Sequence, residues 1–184
     1  EMEIRGYFIA GTYEHSISGF SVHEGGRFTN IFNQPAHLGP VKAVASSGKF
    51  LVSGGNDEEI RVYNLRKRVE MGSIMHHQGA ITALKFHQTS HLFSGSEDNQ
   101  ICVWKTKDWE CLAVLEGHKA GIADLDVHST GRVLLSVAKD NTVRLWDLVK
   151  ARCLLTQSAP AMCALRWSPD GASYCAVGRN GLRI

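Results

Sequence analysis

Apolar and polar residues alternate in short bursts along this chain. Val143 and Leu145 fall on one face of an extended segment, as do Ile101 and Val103, and Ile60 and Val62. A period of two is that of a β-strand with one buried face. Turn signals separate the bursts: HQTS at 87–90, HSTG at 128–131 and SPDG at 168–171. In SPDG the proline fixes φ early in a tight turn, and the glycine makes a positive φ cheap at its end. His87 and His128 open two of these turns and are expected at the solvent edge. No segment carries a helical stripe. The pattern predicts short antiparallel strands, about four to a unit.

The bursts repeat. GGNDEEIRVYNL (54–65), GSEDNQICVWKT (95–106) and VAKDNTVRLWDL (137–148) superpose, and AGTYEHSISGFSV (10–22) follows the same plan. Asp57, Asp98 and Asp140 share one slot, which Glu14 fills in the first copy, at intervals of 43, 41 and 42 residues. An aromatic residue stands six positions after each: Phe20, Tyr63, Trp104 and Trp146. A fifth copy begins at SYCAVGRNGLRI (173–184), with Arg179 in the acid slot. A second register agrees, since His37, His77 and His118 precede their aspartates by 20, 21 and 22 residues. Such self-similarity marks a repeat architecture in which each unit buries its faces against its neighbours. The units predicted are a degenerate first repeat at 1–35, repeats at 36–75, 76–116 and 117–157, and a truncated one at 158–184.

Composition narrows the chemistry. The 184 residues carry a net charge of +2, with 43% hydrophobic and 21% charged residues. That is a globular balance, and too near neutrality for a dedicated nucleic-acid binder. The five cysteines (Cys102, Cys111, Cys153, Cys163 and Cys175) are odd in number and form no C-x-x-C, so reduced thiols of an intracellular protein are expected. No apolar run approaches the ~20 residues of a membrane span. His76 and His77 are adjacent and would point to opposite faces of a strand; no H-E-x-x-H or paired Cys/His spacing occurs. Neither a metal nor another cofactor is expected.

EGHKAGIADLDVHSTGRVLLSVAKDNTVRLWD (116–147) resembles the WD-repeat consensus along its length. The copy at 77–104 is nearly as close, and that at 37–63 has Tyr for Trp. The resemblance implies an all-β WD-repeat β-propeller, about four and a half blades of an expected seven, incomplete and unclosed. The chain is then expected to be the N-terminal part of a longer protein, and Glu1 in place of an initiator Met agrees. GTYEHSISGFSV, MHHQGAITALKF, SEDNQICVWKTKDWECL and RLWDLVKARC are similar to the p21-activated-kinase-interacting protein family; KDWECL and LWDLV are not general WD-repeat features. That likeness implies a non-catalytic scaffold in nucleolar biogenesis of the large ribosomal subunit, with negative regulation of a p21-activated kinase by protein contact. Implied partners are pre-ribosomal assembly factors and the kinase, with rRNA met only inside a pre-ribosome. The implied location is the nucleus and nucleolus, with no membrane and no small-molecule substrate. The family's further blades and lysine-rich tail lie outside these 184 residues. An adaptor of another complex, such as a ubiquitin-ligase substrate receptor, is the alternative.

Ser136, His118 and Asp140 also have the composition of a hydrolase triad. Three features oppose that reading. The set recurs as His77, Ser94, Asp98 and as His37, Ser53, Asp57; no G-x-S-x-G is present; and Ser136 lies in the strand-like run RVLLSV rather than on a sharp turn. The WD-repeat resemblance implies instead that His77, Ser94, Asp98, Trp104 and His118, Ser136, Asp140, Trp146 are buried structural tetrads. It leaves His37, Ser53, Asp57, Tyr63 as a partial one, because a phenol hydroxyl has a different reach from an indole N–H. The same resemblance implies partner contacts before each turn acid, at Tyr13, Asn56, Glu97 and Lys139. A second set follows the first apolar residue of each innermost strand, at Lys42 and Thr82, with Ala123 and Cys163 in the matching slots. Arg66, Lys67, Arg68, Lys105, Lys107, Lys150 and Arg152 recur as a basic rim, read as a solvated edge. Gly54 and Gly55 are read as sites of close approach between units rather than as a phosphate loop.

Overall fold

The computed structural model describes residues 4–178 and 181–183. Arg179, the residue in the acid slot of the fifth copy, lies outside them. Five antiparallel meanders follow one another. The first has three strands: β1 (Ile4–Gly11), β2 (Ser16–His23) and β3 (Phe28–Pro35). The second is β4 (Val41–Ser47), β5 (Phe50–Gly55), β6 (Glu59–Asn64) and β7 (Val69–Met75). The third is β8 (Ile81–His87), β9 (His91–Ser96), β10 (Ile101–Lys105) and β11 (Glu110–Leu115). The fourth is β12 (Ile122–Val127), β13 (Val133–Ala138), β14 (Thr142–Asp147) and β15 (Arg152–Ser158). The fifth is β16 (Met162–Trp167), β17 (Tyr174–Gly178) and β18 (Gly181–Arg183). Each sheet packs on the next in an open arc, the arrangement of a partial β-propeller. Among the described residues no helix is long and apolar enough to cross a membrane.

The apolar faces pair between successive sheets. Val52, Ile60, Ile81, Leu84, Leu92 and Trp104 fill the seam between the second and third sheets. Phe93, Val103, Ile122, Leu125, Leu134 and Trp146 fill that between the third and fourth. The second strand of each middle sheet is therefore covered on both faces. Alternation fails where this coverage is complete: every residue of β5 is buried, and in β9 and β13 all but the first. Close stacking also explains the glycines. A Cβ on Gly54 would lie 2.4 Å from Cγ2 of Ile81, and one on Gly95 would lie 2.7 Å from Cγ2 of Ile122.

Bulges recur at two positions in each of the three middle sheets, and the first of these recurs in the fifth. Register breaks between Val41 and Ala43, Ile81 and Ala83, Ile122 and Asp124, and Met162 and Ala164. The extra residues are Lys42, Thr82, Ala123 and Cys163, each thrown out of the ladder. A second break precedes Tyr63, Trp104 and Trp146, opposite Met71, Leu112 and Leu154 on the outermost strands. Those three apolar side chains are exposed. A bulge on an outer strand twists its free edge away from flat pairing with another chain.

Polar links also cross the seams. Asp126, buried in β12, accepts from Nζ of Lys85 on β8 at 2.9 Å and from the Trp167 N–H of β16 at 2.8 Å. One carboxylate thereby ties three sheets. Asp124 accepts from the Leu165 N–H at 3.0 Å and from Nη1 of Arg166 at 2.5 Å. His128 is half-buried rather than at the solvent edge. Its ring stands edge-on to Trp167 at 5.0 Å between centroids, and its Nε2 lies 3.2 Å from the Gly171 carbonyl. His87 is half-buried too, under the turn glycine Gly131 of the next sheet.

Candidate functional site

In the second, third and fourth sheets the turn between the second and third strands is built around an aspartate. The residue after it takes the left-handed conformation: Glu58 (φ 69), Asn99 (φ 73) and Asn141 (φ 61). Asparagine tolerates that region better than glutamate. One carboxylate oxygen closes the turn, accepting from the Gln100 N–H at 2.9 Å in the third sheet and the Thr142 N–H at 3.0 Å in the fourth. The carboxylate also reaches the connection that enters the sheet. It accepts from the N–H of Leu38 at 2.9 Å, Gln78 at 3.0 Å and Lys119 at 2.9 Å.

The preceding histidine joins this carboxylate to the strands. His77 Nδ1 is 2.7 Å from Asp98 and its Nε2 is 2.8 Å from Oγ of Ser94. His118 Nδ1 is 3.0 Å from Asp140 and its Nε2 is 2.7 Å from Oγ of Ser136. His37 repeats the pattern at 2.8 Å to Asp57 and 2.7 Å to Ser53. A carboxylate only accepts, so Nδ1–H donates to it and Nε2 takes the serine proton. The serine oxygen remains free to accept. Nε1 of Trp104 donates to Ser94 and Nε1 of Trp146 donates to Ser136, both at 2.8 Å. Every bond in the fourth sheet thus points one way, from indole to carboxylate.

Burial and bonding divide the protons accordingly. Burial pushes His77 and His118 down, against the pull of Asp98 and Asp140, which favours neutral rings. Burial alone would raise Asp140. The Lys119 N–H, the Thr142 hydroxyl and His118 outweigh it and bring the carboxyl down to about 2. These distances are those of a hydrolase triad, but the accessibility is not. Ser53, Ser94 and Ser136 are 0% exposed, so no substrate reaches the nucleophile. The second sheet ends its relay differently: the buried Tyr63 hydroxyl makes no hydrogen bond. The first sheet has no such relay. There Glu14 is exposed, and Oγ1 of Thr12 closes the turn onto Ser16.

The loops at this end of the strands gather most of the remaining site residues. Tyr13, Lys42, Asn56, Glu97 and Lys139 are exposed, Tyr13 to 86%. Oε1 of Glu97 lies 3.2 Å from Nζ of Lys42 and 3.2 Å from Nζ of Lys139, so positions from three sheets meet. Lys139 and then Lys42 hold the Glu97 carboxyl below its usual range. Exposed pairs of this kind contribute little stability. Thr82 is used internally: its hydroxyl lies 3.0 Å from the Gly95 carbonyl and 2.7 Å from that of Ile122. Leu38, 87% exposed, escaped the sequence reading. The signal was its slot, where the other copies place the polar Gln78 and Lys119. The basic rim lies at the opposite end of the strands. Asn64 and Asp147 cap its turns through Arg66, Lys67 and Lys150, and Lys105 pairs with Asp108 at 3.0 Å.

Stacked antiparallel sheets, the middle three each pinned by a His–Ser–Asp relay that meets an aromatic residue, define a repeat propeller whose exposed chemistry is on its loops. The chain belongs to the WD domain, G-beta repeat family, whose model matches residues 26–64, 69–105 and 109–147. Each matched segment starts near or on an outermost strand and ends on the third strand of the next sheet, so one repeat staples two sheets. The chain is 40% identical over 179 residues to a p21-activated protein kinase-interacting protein 1-like of Gallus gallus, covering 96% of this chain and 48% of that protein. It is 37% identical over 186 residues to the human p21-activated protein kinase-interacting protein 1, at 96% and 47% coverage. Protein MAK11 of Saccharomyces cerevisiae is 38% identical over 201 residues, at 92% and 48% coverage. The chain spans about half the length of the curated relatives it matches.

Proposed function

We propose that this chain forms part of a non-catalytic WD-repeat scaffold whose loop face holds a protein partner. The whole protein works in nucleolar assembly of the large ribosomal subunit, and restrains a p21-activated kinase by occupying its surface. The observation that carries the binding face is the meeting of Lys42, Glu97 and Lys139, three exposed positions from three sheets at the turn end of the strands. Tyr13 and Leu38 add exposed apolar area on the same end of the strands. A polar partner surface with an apolar contact point suits this mixture. The relatives' names support the kinase as a partner. The KDWECL and LWDLV stretches, through the family resemblance, support the ribosomal role and the nuclear location.

The test is affinity purification of the full-length protein, wild type against a Tyr13→Ala, Glu97→Lys double variant. The recovered proteins are scored for p21-activated kinase and for pre-ribosomal factors. The expected result is loss of one or both by about tenfold, with the fold intact by circular dichroism. Unchanged recovery of both overturns the loop face as the docking surface. Recovery of ubiquitin-ligase subunits in their place overturns the assignment of partners.

A further inference from the structure

One group of soft metal-binding side chains stands apart from the relays. His76 follows β7, Cys102 lies on β10 and Cys111 on β11, and one ligating atom from each lies within 4.8 Å of the others. The bulge before Trp104 makes the meeting. It skips Leu112 and sets Cys111 across from Trp104, on the face that Cys102 shares by strand alternation. His76 is exposed, Cys111 half-buried and Cys102 fully buried, so the group runs from solvent into the seam. His76 stands edge-on to Trp104 at 5.6 Å between centroids.

The neighbouring sheets show what these positions do. In the second sheet the slots of Cys102 and Cys111 hold Arg61 and Glu70, an ion pair at 3.3 Å linking the third and outermost strands. In the fourth they hold Arg144 and Cys153, and Arg144 lies over the Trp146 ring instead. The slot of His76 holds Ala36 or Gly117, neither of which can ligate. Among the described residues, the third sheet alone combines two thiols and an imidazole at a place where its neighbour builds a polar tie.

We propose that His76, Cys102 and Cys111 bind a thiophilic divalent cation of the zinc class. Tetrahedral zinc, with bonds of about 2.3 Å to sulfur and 2.0 Å to nitrogen, needs donor separations of roughly 3.5–3.8 Å. Rotation of the exposed imidazole and the half-buried thiol closes the difference. On binding, both thiols release their protons to solvent, and two sulfurs and one nitrogen donate electron pairs. No oxidation occurs, and the two thiolates cancel the cation's charge. The fourth position is left to water or to a partner's side chain.

The test uses full-length protein, reduced and stripped with chelator. Cd2+ is titrated and followed by thiolate-to-metal charge-transfer absorption, and Zn2+ is titrated against a chromophoric chelator. The proposal expects Cys111→Ala to bind one equivalent less than wild type and His76→Ala to bind at least about tenfold more weakly. Cys111 and His76 lie at the surface end of the group, so both variants keep the core. Charge-transfer absorption undiminished in Cys111→Ala, or none in the wild type, overturns it. So does affinity unchanged in His76→Ala.

Discussion

The second and fourth sheets carry the same histidine, serine and aspartate, yet they finish differently. In the fourth, Ser136 accepts the indole N–H of Trp146 and donates its own O–H to Nε2 of His118. In the second, Tyr63 occupies the tryptophan slot, is equally buried, and leaves its hydroxyl without a partner. Burial, tempered by Ser53 nearby, pushes that phenol above its ordinary range. The histidine-to-aspartate half is the same in both because two backbone turns position it. The last link depends on one side chain from the next strand, and an indole N–H projects from the ring where a phenol hydroxyl does not. The relay is therefore a local fastener with separable halves, not an all-or-none unit.

The largest expected effect comes from cutting the relay at its middle. Ser136→Ala leaves two buried groups without a partner, Nε2 of His118 and the Trp146 indole. Each unsatisfied group costs about 1–3 kcal/mol, so the loss is roughly 2–6 kcal/mol. Ser53→Ala strands only the His37 nitrogen and loses about 1–3 kcal/mol. Urea midpoints of the full-length variants, at unchanged m-value, measure the two losses. Equal losses would mean that the indole bond adds nothing and that the two sheets do not differ.

Much of this was legible in the sequence because each copy carries its own turn aspartate, histidine and aromatic residue at fixed spacing. The strand count, the turns and the family follow from those local signals. What escaped depends on how sheets stack. Continuous burial of β5, β9 and β13 needs a neighbour on each side, and no alternation within a strand reports that. Asp126 looks like a surface residue in IADLDV, and becomes a three-sheet tie only when Lys85 and Trp167 arrive from the adjoining sheets. Glu97 meets lysines 55 and 42 residues away for the same reason. Cys102 and Cys111 meet because of a bulge, which shifts register by a residue that spacing arguments count as regular.

An intermediate effect is expected from acid. Asp140 has a folded-state pKa of about 2, below its ordinary 3.8, and Asp57 is also lowered. The folded state therefore binds fewer protons than the unfolded chain in this range. The stabilisation is fully present above pH 3.8 and is lost as pH falls toward 2. His118 is lowered from 6.5, chiefly by burial, so its contribution has the same sign: full above 6.5 and declining as the unfolded chain takes up its proton. Urea midpoints measured from pH 7 down to 2.5 are expected to fall in two stages. Asp140→Asn is expected to flatten the lower stage more than Asp57→Asn does. An identical acid limb in both variants would remove Asp140 as the better-held carboxylate.

The smallest effect sharpens the comparison most, because its sign is at stake. Tyr63→Phe removes a buried hydroxyl that has no partner and keeps the ring that fills the seam between the first and second sheets. A buried unpaired polar group costs stability, so the variant is expected to be unchanged or more stable by up to about 1 kcal/mol. Trp146→Phe deletes the indole N–H that Ser136 accepts and opens space beside Leu134, and is expected to cost about 1–3 kcal/mol. Thermal midpoints of the two full-length variants are expected to move in opposite directions, or only that of Trp146→Phe to fall. Comparable falls in both would mean that the Tyr63 hydroxyl is bonded in solution and that the second sheet completes its relay after all.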